Sequence, residues 1–170
     1  FAFKKKYFFI INDTSDINLN NFNRNNKFTI IYRNNDQIKS LEKLLNFRQK
    51  CKSLGFKFFV ANNIKLSQSL KSDGIYISAS NSSFRPLLLK KLNKQIIGSA
   101  HNIKEINKKI NQGCKQIIIS KLFKVAYDSK SSNLGVVKFN FYSNLFKNII
   151  PLGGIAYKNL NKLRSVRSNA

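Results

Sequence analysis

The sequence contains no tryptophan or methionine, two cysteines, two prolines and seven glycines, and it sets only 7 acidic side chains against 31 basic ones in 170 residues. Each shortage excludes something. Cys51 and Cys114 are far apart and neither belongs to a C-x-x-C pair, so a disulfide scaffold and a zinc knuckle are excluded. No apolar run reaches the roughly 18 residues of a membrane span. The run Tyr7–Ile11, behind the basic Lys4-Lys5-Lys6, is too short for the core of a signal peptide. His101 is the only histidine, which rules out a multi-histidine metal site. With so few carboxylates, no Ser/His/Asp or Cys/His nucleophile arrangement can be assembled. These absences predict a soluble, reduced, cytoplasmic protein.

What is present is globular. Hydrophobic residues make up 42% and aromatics 12%, with fifteen phenylalanines, enough for one core and against disorder. The length predicts a single domain over residues 1–170. The net charge of +24 invites a nucleic-acid reading, since basic surfaces attract polyanions. Its lysines and arginines are spread along the whole chain, however, among asparagine, isoleucine and phenylalanine, all residues of A/T-rich codons. No aromatic-interleaved RNA motif, G-x-x-G clamp or zinc finger accompanies them. The charge is read as a diffuse basic surface, and a basic nucleic-acid-binding protein stays as the alternative that charge alone favours. The chain opens on Phe1 and closes at Ala170 with no stop signal for its last helix, as a fragment would.

Short β-branched or aromatic runs alternate with helical periodicity, the pattern of βαβ units and a parallel sheet. The expected strands are 7–11, 28–32, 56–61, 74–77, 95–98, 116–120 and 149–152, nearly all apolar, as strands buried on both faces must be. Ile38, Leu41, Leu45 and Leu54 mark one helix, capped by Asp36 and ended by Gly55. Ile103, Ile106 and Ile110 mark another, closed by Gly113. A third begins at Pro86 and covers 87–92, and a fourth covers 158–167 with Leu160 and Leu163 inward. Asn12 to Lys27 is too polar and asparagine-rich to make a first helix. Seven strands in this rhythm predict a TIM (β/α)8-type barrel lacking its eighth strand in this chain, with an open doubly wound sheet as the alternative.

In a parallel barrel the chemistry lies just beyond the C-terminal ends of the strands. Those positions are Tyr32-Arg33-Asn34-Asn35, Ala61-Asn62-Asn63, Ser78-Ala79-Ser80-Asn81, Ser99-Ala100-His101, Ser120-Lys121-Leu122-Phe123 and Gly153-Gly154-Ile155. They form a polar rim without carboxylates. Gly153-Gly154 either brings backbone N–H groups to an anion or makes a simple tight turn. Arg33 is either a rigid fork for phosphate or a surface arginine. His101 is either an acid/base or phosphate contact, or a structural histidine.

Several stretches, taken in order, resemble the thiamine-phosphate synthase and TenI superfamily. Ile97-Gly98-Ser99-Ala100-His101-Asn102 reads as its G-x-S-x-H. The helix ending in Gly113-Cys114 is followed by Ile118-Ile119-Ser120-Lys121-Leu122-Phe123. Ile150-Pro151-Leu152-Gly153-Gly154-Ile155, with Asn159, matches its terminal glycine motif. Lys71-Ser72-Asp73-Gly74-Ile75-Tyr76-Ile77 resembles its A-D-G segment, and Ile31-Tyr32-Arg33 falls where it has Q-(L/F)-R. The resemblance implies a barrel that joins a 4-amino-2-methylpyrimidine diphosphate to a thiazole phosphate and releases pyrophosphate, with Mg2+ as cofactor. It implies catalytic roles for Arg33, Ser99 and Lys121, and substrate or phosphate contacts from Arg33, Asn62, Asn81, Ser99, His101, Gly153 and Gly154. The departures are specific. Ile31 replaces the family glutamine, Asn35 its lysine, Asn62 and Asn81 its metal-binding aspartates, and Lys124-Val125-Ala126-Tyr127-Asp128 its pyrophosphate loop. Mg2+ prefers charged oxygen ligands, and neutral Asn62 and Asn81 supply none, so no metal ligand is assigned. The resemblance leaves a TenI-like thiazole tautomerase, with Lys121 where that branch has its histidine, and a non-catalytic phosphate-ligand barrel as alternatives.

Overall fold

Seven apolar runs become strands because each can bury both faces while its backbone groups pair with a neighbour. The computed structural model describes residues 6–34, 40–124 and 132–168. Its strands are β1 (Tyr7–Ile11), β2 (Phe28–Tyr32), β3 (Lys57–Ala61), β4 (Gly74–Ile77), β5 (Gln95–Ala100), β6 (Gln116–Ser120) and β7 (Ile149–Leu152). The helices are α1 (Leu41–Ser53), α2 (Ile64–Ser69), α3 (Ile103–Asn111) and α4 (Gly135–Leu145). The chain divides into two compact units. The first runs to Ile77 and takes in Arg85–Ile96, and the second comprises Ser78–Phe84 and continues from Ile97.

In the first unit β1, β2, β3 and β4 are parallel neighbours in chain order, with Ile10 opposite Ile31, Ile30 opposite Phe58, and Val60 opposite Ile75. Ile30, Tyr32, Phe58 and Val60 join Leu44 and Cys51 of α1 and Leu66 and Leu70 of the α2 region in one core. Phe9, Phe22, Phe28 and Phe56 close it with ring contacts of 5.0 to 5.9 Å. Asp73 ties the elements together. Its Oδ2 accepts the Phe58 N–H at 2.7 Å and meets Arg48 Nη2 at 3.1 Å, while its own N–H donates to the Phe58 carbonyl. The following residue has to be glycine, since a Cβ on Gly74 would lie 2.1 Å from the Gln95 carbonyl oxygen.

In the second unit β5, β6 and β7 are parallel, with Ser99 opposite Ile118 and Ile118 opposite Ile150. Ala100, Ile106, Ile117, Ile119, Leu122, Phe139, Tyr142 and Ile149 make its core. Asn102 caps α3 by accepting the Glu105 N–H, and Gly113, at φ +80°, ends it.

Several expectations need correction. Ser40, not Asp36, caps α1 by accepting the Lys43 N–H; Asp36 and Ile38 lie outside the described residues. The face that α1 buries is Leu44, Arg48 and Cys51, while Leu41 is exposed. Hydrophobic spacing misses this stripe because one of its members is an arginine, admitted by Asp73. Ile103 and Ile110 are exposed, and α3 buries Ile106 and Lys109. β3 starts one residue later than expected, and β5 runs two residues longer. The segments expected as the third and fourth helices are 3-10 turns, Arg85–Leu92 and Tyr157–Ser165. Nothing in the second of these is buried, and Leu160 is exposed, although Leu163 packs against the core. Two helices have no counterpart in the sequence expectations. α2 has only six residues. α4 lacks a side-chain cap and is rich in aromatic and β-branched residues, which favour strands. The polar stretch before β2 holds only the short turns Thr14–Asp16 and Leu19–Asn21, as expected.

Asp73→Ala would leave the buried Arg48 guanidinium without its carboxylate and the Phe58 N–H without its acceptor. The expected loss is about 2 kcal/mol of unfolding free energy, read from the urea midpoint. Asp73→Asn, which keeps an acceptor oxygen, is expected to lose about half as much. Burial pushes both thiols, Cys51 and Cys114, up to about 12. At pH 8 the thiolate is then about one part in ten thousand. A disulfide reagent is expected to leave both cysteines unmodified in native protein and to label both in denaturant.

Candidate functional site

The segment after β7 is the most constrained of the strand ends. Gly153 and Gly154 adopt φ +96° and +69°, a region open to glycine at no steric cost. A Cβ on Gly154 would sit 2.4 Å from the Phe123 carbonyl oxygen and 2.6 Å from that of Lys124. The loop therefore packs backbone on backbone against the residues that follow β6. Phe123 N–H donates to the Gly153 carbonyl at 3.1 Å. Asn159 fixes the far side, donating from Nδ2 to the Gly154 carbonyl at 2.6 Å and accepting the Ala156 N–H at 2.9 Å. That double use of Asn159 competes with regular helix formation, in keeping with the 3-10 turn found there.

The end of β6 gathers four of the expected site residues. His101 Nδ1 lies 2.7 Å from the Ser120 carbonyl. A carbonyl only accepts, so Nδ1 carries the proton in this contact. The His101 N–H is held in turn by Glu105 Oε2 at 2.8 Å. A Cβ on Gly153 would be 3.1 Å from Lys121 Cα and 3.5 Å from its Cγ, so the lysine stem runs along the glycine loop. The Ser120–Lys121 peptide is cis. His101, Lys121 and the Gly153-Gly154 pair thus form one neighbourhood. Ser99 differs from its expected position. The ladder continues through Ala100, so Ser99 is a buried member of β5 and not a residue beyond its end.

The loop after β4 is built around its own turns. Asn81 N–H donates to the Ser78 carbonyl, and Asn81 Oδ1 accepts the Ser83 N–H at 2.9 Å. Two fully buried residues of the α3 region, Lys109 and Gln112, support the loop from beneath. Burial pulls the Lys109 pKa below its ordinary value, while three acceptors hold the ammonium. Sequence reasoning missed both residues. The available signal was a lysine three residues beyond Ile106, on the face that periodicity reserves for the core.

In the first unit, Arg33 stands at the end of β2. Its N–H donates to the Ile11 carbonyl at 2.8 Å, and its side chain is exposed. Asn62 follows β3 at φ +57°, exposed, with its N–H on the Tyr76 carbonyl. The next residue, Asn63, caps α2 through the Leu66 N–H, a structural role that spacing alone left unread. Asn35 and the stretch Val125 to Asp128 lie outside the described residues. Among the described residues the donor set does not fit Mg2+. Among the described residues no group of three His, Cys, Asp or Glu side chains is placed to hold a metal. Asp73 is committed to Arg48 and Phe58, Glu105 to His101 and Asn102, and the oxygen of Asn81 to its own turn.

Parallel strands in chain order with polar loops at their C-terminal ends define an α/β protein of the TIM (β/α)8 type. The fold matches that of a thiamine phosphate pyrophosphorylase from Pyrococcus furiosus with a TM-score of 0.71 over 95% of this chain and 82% of that one, at 16% identity. The family model for thiamine monophosphate synthase, TMP-TENI, matches residues 18–169, and the chain belongs to that family. It is also 26% identical over 121 residues to the thiamine-phosphate synthase of Prochlorococcus marinus, covering 68% of this chain and 34% of the relative. The chain therefore spans about a third of the length of the curated relative it matches. Among the described residues no helix is long and apolar enough to cross a membrane.

Gly154→Ala must displace the Phe123–Lys124 backbone. The expected cost is about 2 kcal/mol in unfolding free energy, whereas Gly135→Ala, where an added Cβ meets nothing within 4 Å, pays only for its positive φ and loses less. Thermal melts of the two variants check the difference.

Proposed function

We propose that this chain carries a thiamine-phosphate-synthase-type site, joining a 4-amino-2-methylpyrimidine diphosphate to a thiazole phosphate with release of pyrophosphate. The observation that carries this reading is the glycine loop after β7, whose backbone geometry only glycine satisfies, in a chain of this family. Backbone N–H groups in such a loop suit a phosphate, and Gly153 and Gly154 are assigned to the thiazole phosphate. Arg33 is assigned to the diphosphate as a planar donor fork. Asn62 and Asn81 are assigned as neutral polar contacts, His101 as a hydrogen-bonding group and Ser99 as a buried support of the β5 end. In the reaction the bond from the pyrimidine methylene to the diphosphate oxygen breaks with its electron pair leaving on pyrophosphate. A new bond forms from the thiazole nitrogen to that methylene. Positive side chains stabilise the charge on the departing group, which a chain with this excess of lysine and arginine can supply without a metal ligand of its own.

A second reading has a specific observation behind it. Lys121 lies along the glycine loop, beside a histidine whose ring is fixed by the Ser120 carbonyl. That arrangement suits proton movement on a thiazole carboxylate phosphate, the TenI-type tautomerisation, with Lys121 as the proton carrier. A barrel that binds phosphorylated ligands without turnover shares the same loop.

Pyrophosphate release, followed with both substrates and with or without added Mg2+, separates these readings. The synthase reading expects release that requires both substrates and falls at least tenfold in Arg33→Ala. Absence of release, together with thermal protection by thiazole phosphate and none by a nucleotide oligomer, would leave the tautomerase or binding reading. Tautomer interconversion lost in Lys121→Ala then chooses between those two.

A further inference from the structure

Lys109 places an ammonium where a methionine, one atom shorter, would fill the space of the stem without a desolvation penalty. The side chain is fully buried. Its stem occupies the room that a side chain at Gly98 would need, since a Cβ there would lie 3.0 Å from Lys109 Cδ and 2.7 Å from Cys114 Sγ. Among the described residues no carboxylate pairs with the cation. Nζ donates to the carbonyl of Ser78 at 2.7 Å, to that of Asn81 at 2.8 Å and to Gln112 Oε1 at 2.9 Å. Gln112 repeats the pattern, donating from Nε2 to the Asn81 carbonyl at 3.1 Å and to the Ser83 carbonyl at 2.8 Å. All of an ammonium's donors and both of an amide's are thus committed, four of the five to one loop.

The consequence follows from peptide geometry. A trans peptide holds its C=O and N–H in opposite directions. Turning the carbonyls of Ser78, Asn81 and Ser83 toward α3 turns the N–H groups of Ala79, Ser82 and Phe84 away from it. Lys108 adds a latch from the same helix, its Nζ donating to Ser82 Oγ at 2.6 Å. A loop with three carbonyls turned to a buried cation and its amide partner, and with the N–H groups of Ala79, Ser82 and Phe84 turned the other way, is polarised to receive an anion.

We propose that Lys109, with Gln112, is a positioning residue that fixes the loop 78–83 and aims its amides at the diphosphate of the pyrimidine substrate without touching it. The proposal rests on the functional reading above. Lys109→Met keeps the stem and removes the charge and all three donors. Gln112→Ala keeps the cation and removes two bonds to the loop. Amide hydrogen exchange over 78–84 and calorimetric binding of the pyrimidine diphosphate, inorganic pyrophosphate and thiazole phosphate are measured for the whole chain and both variants. Lys109→Met is expected to speed exchange in the loop at least tenfold and to weaken diphosphate binding at least tenfold, while thiazole phosphate affinity stays within twofold. Equal weakening of both ligands would assign Lys109 a purely structural role and overturn the proposal, as would unchanged loop exchange. If Lys109→Met does not fold, Gln112→Ala decides, with a severalfold shift of the same two quantities expected and no shift overturning it. A wild-type chain that binds neither substrate sinks the synthase reading. Inorganic pyrophosphate then decides alone: affinity lost in the variant upholds the positioning role, and absent or unaltered affinity ends it.

Discussion

Burial of the strands on both faces is the constraint on which the rest of the structure depends. Ile30, Ile31, Phe58, Phe59, Ile75, Ile77, Ile118 and Ile119 fill the strand interiors, which admit few polar side chains, Thr29 and Ser99 among them. Polar groups are therefore expelled to the segments beyond the strand ends, where the backbone must turn and carry chemistry together. The glycines show the same pressure. Gly74, Gly98 and Gly154 each stand where a Cβ would strike a neighbouring backbone or side chain, so their absence of a side chain is a packing requirement.

The scarcity of acids shapes the electrostatics of both units. In the first, one carboxylate, Asp73, serves two elements by accepting the Phe58 N–H and the Arg48 guanidinium. In the second, Glu105 is spent on the His101 N–H and the Asn102 amide at the start of α3. The buried cation of that unit, Lys109, is accordingly met by carbonyls and an amide oxygen instead of a carboxylate. Carbonyl partners satisfy the donors but leave the charge uncompensated.

The strands were legible because a parallel, doubly buried strand is a short apolar run between turn residues, and each of the seven expected runs forms one. Helices were less legible for identifiable reasons. α1 and α3 each bury a basic residue, Arg48 and Lys109, which hydrophobic periodicity assigns to solvent. α4 lacks a capping residue and carries strand-favouring side chains, and the segment after Gly154 holds helical spacing that Asn159 diverts into a turn. Motif order nominates Arg33, Asn62, Asn81, His101, Lys121, Gly153 and Gly154 as candidates beyond the strand ends, and the structure places the eighth candidate, Ser99, within β5. The supports were hidden: Asn159 across the glycine loop, Glu105 on His101, and Lys109 with Gln112 under the loop after β4.

By itself the sequence determined the alternation of apolar strands and connecting segments, the excess of positive charge, and the order of motifs that marks the family. Those properties are local or compositional, and a single chain displays them directly. Tertiary structure alone decided that Arg48 and Lys109 point inward, that the Asn81 oxygen serves its own turn, and that Gly154 must be glycine because the Phe123 carbonyl lies against it. Each of these depends on which distant backbone groups come within hydrogen-bond or van der Waals reach, and that is fixed only when the strands have taken their register.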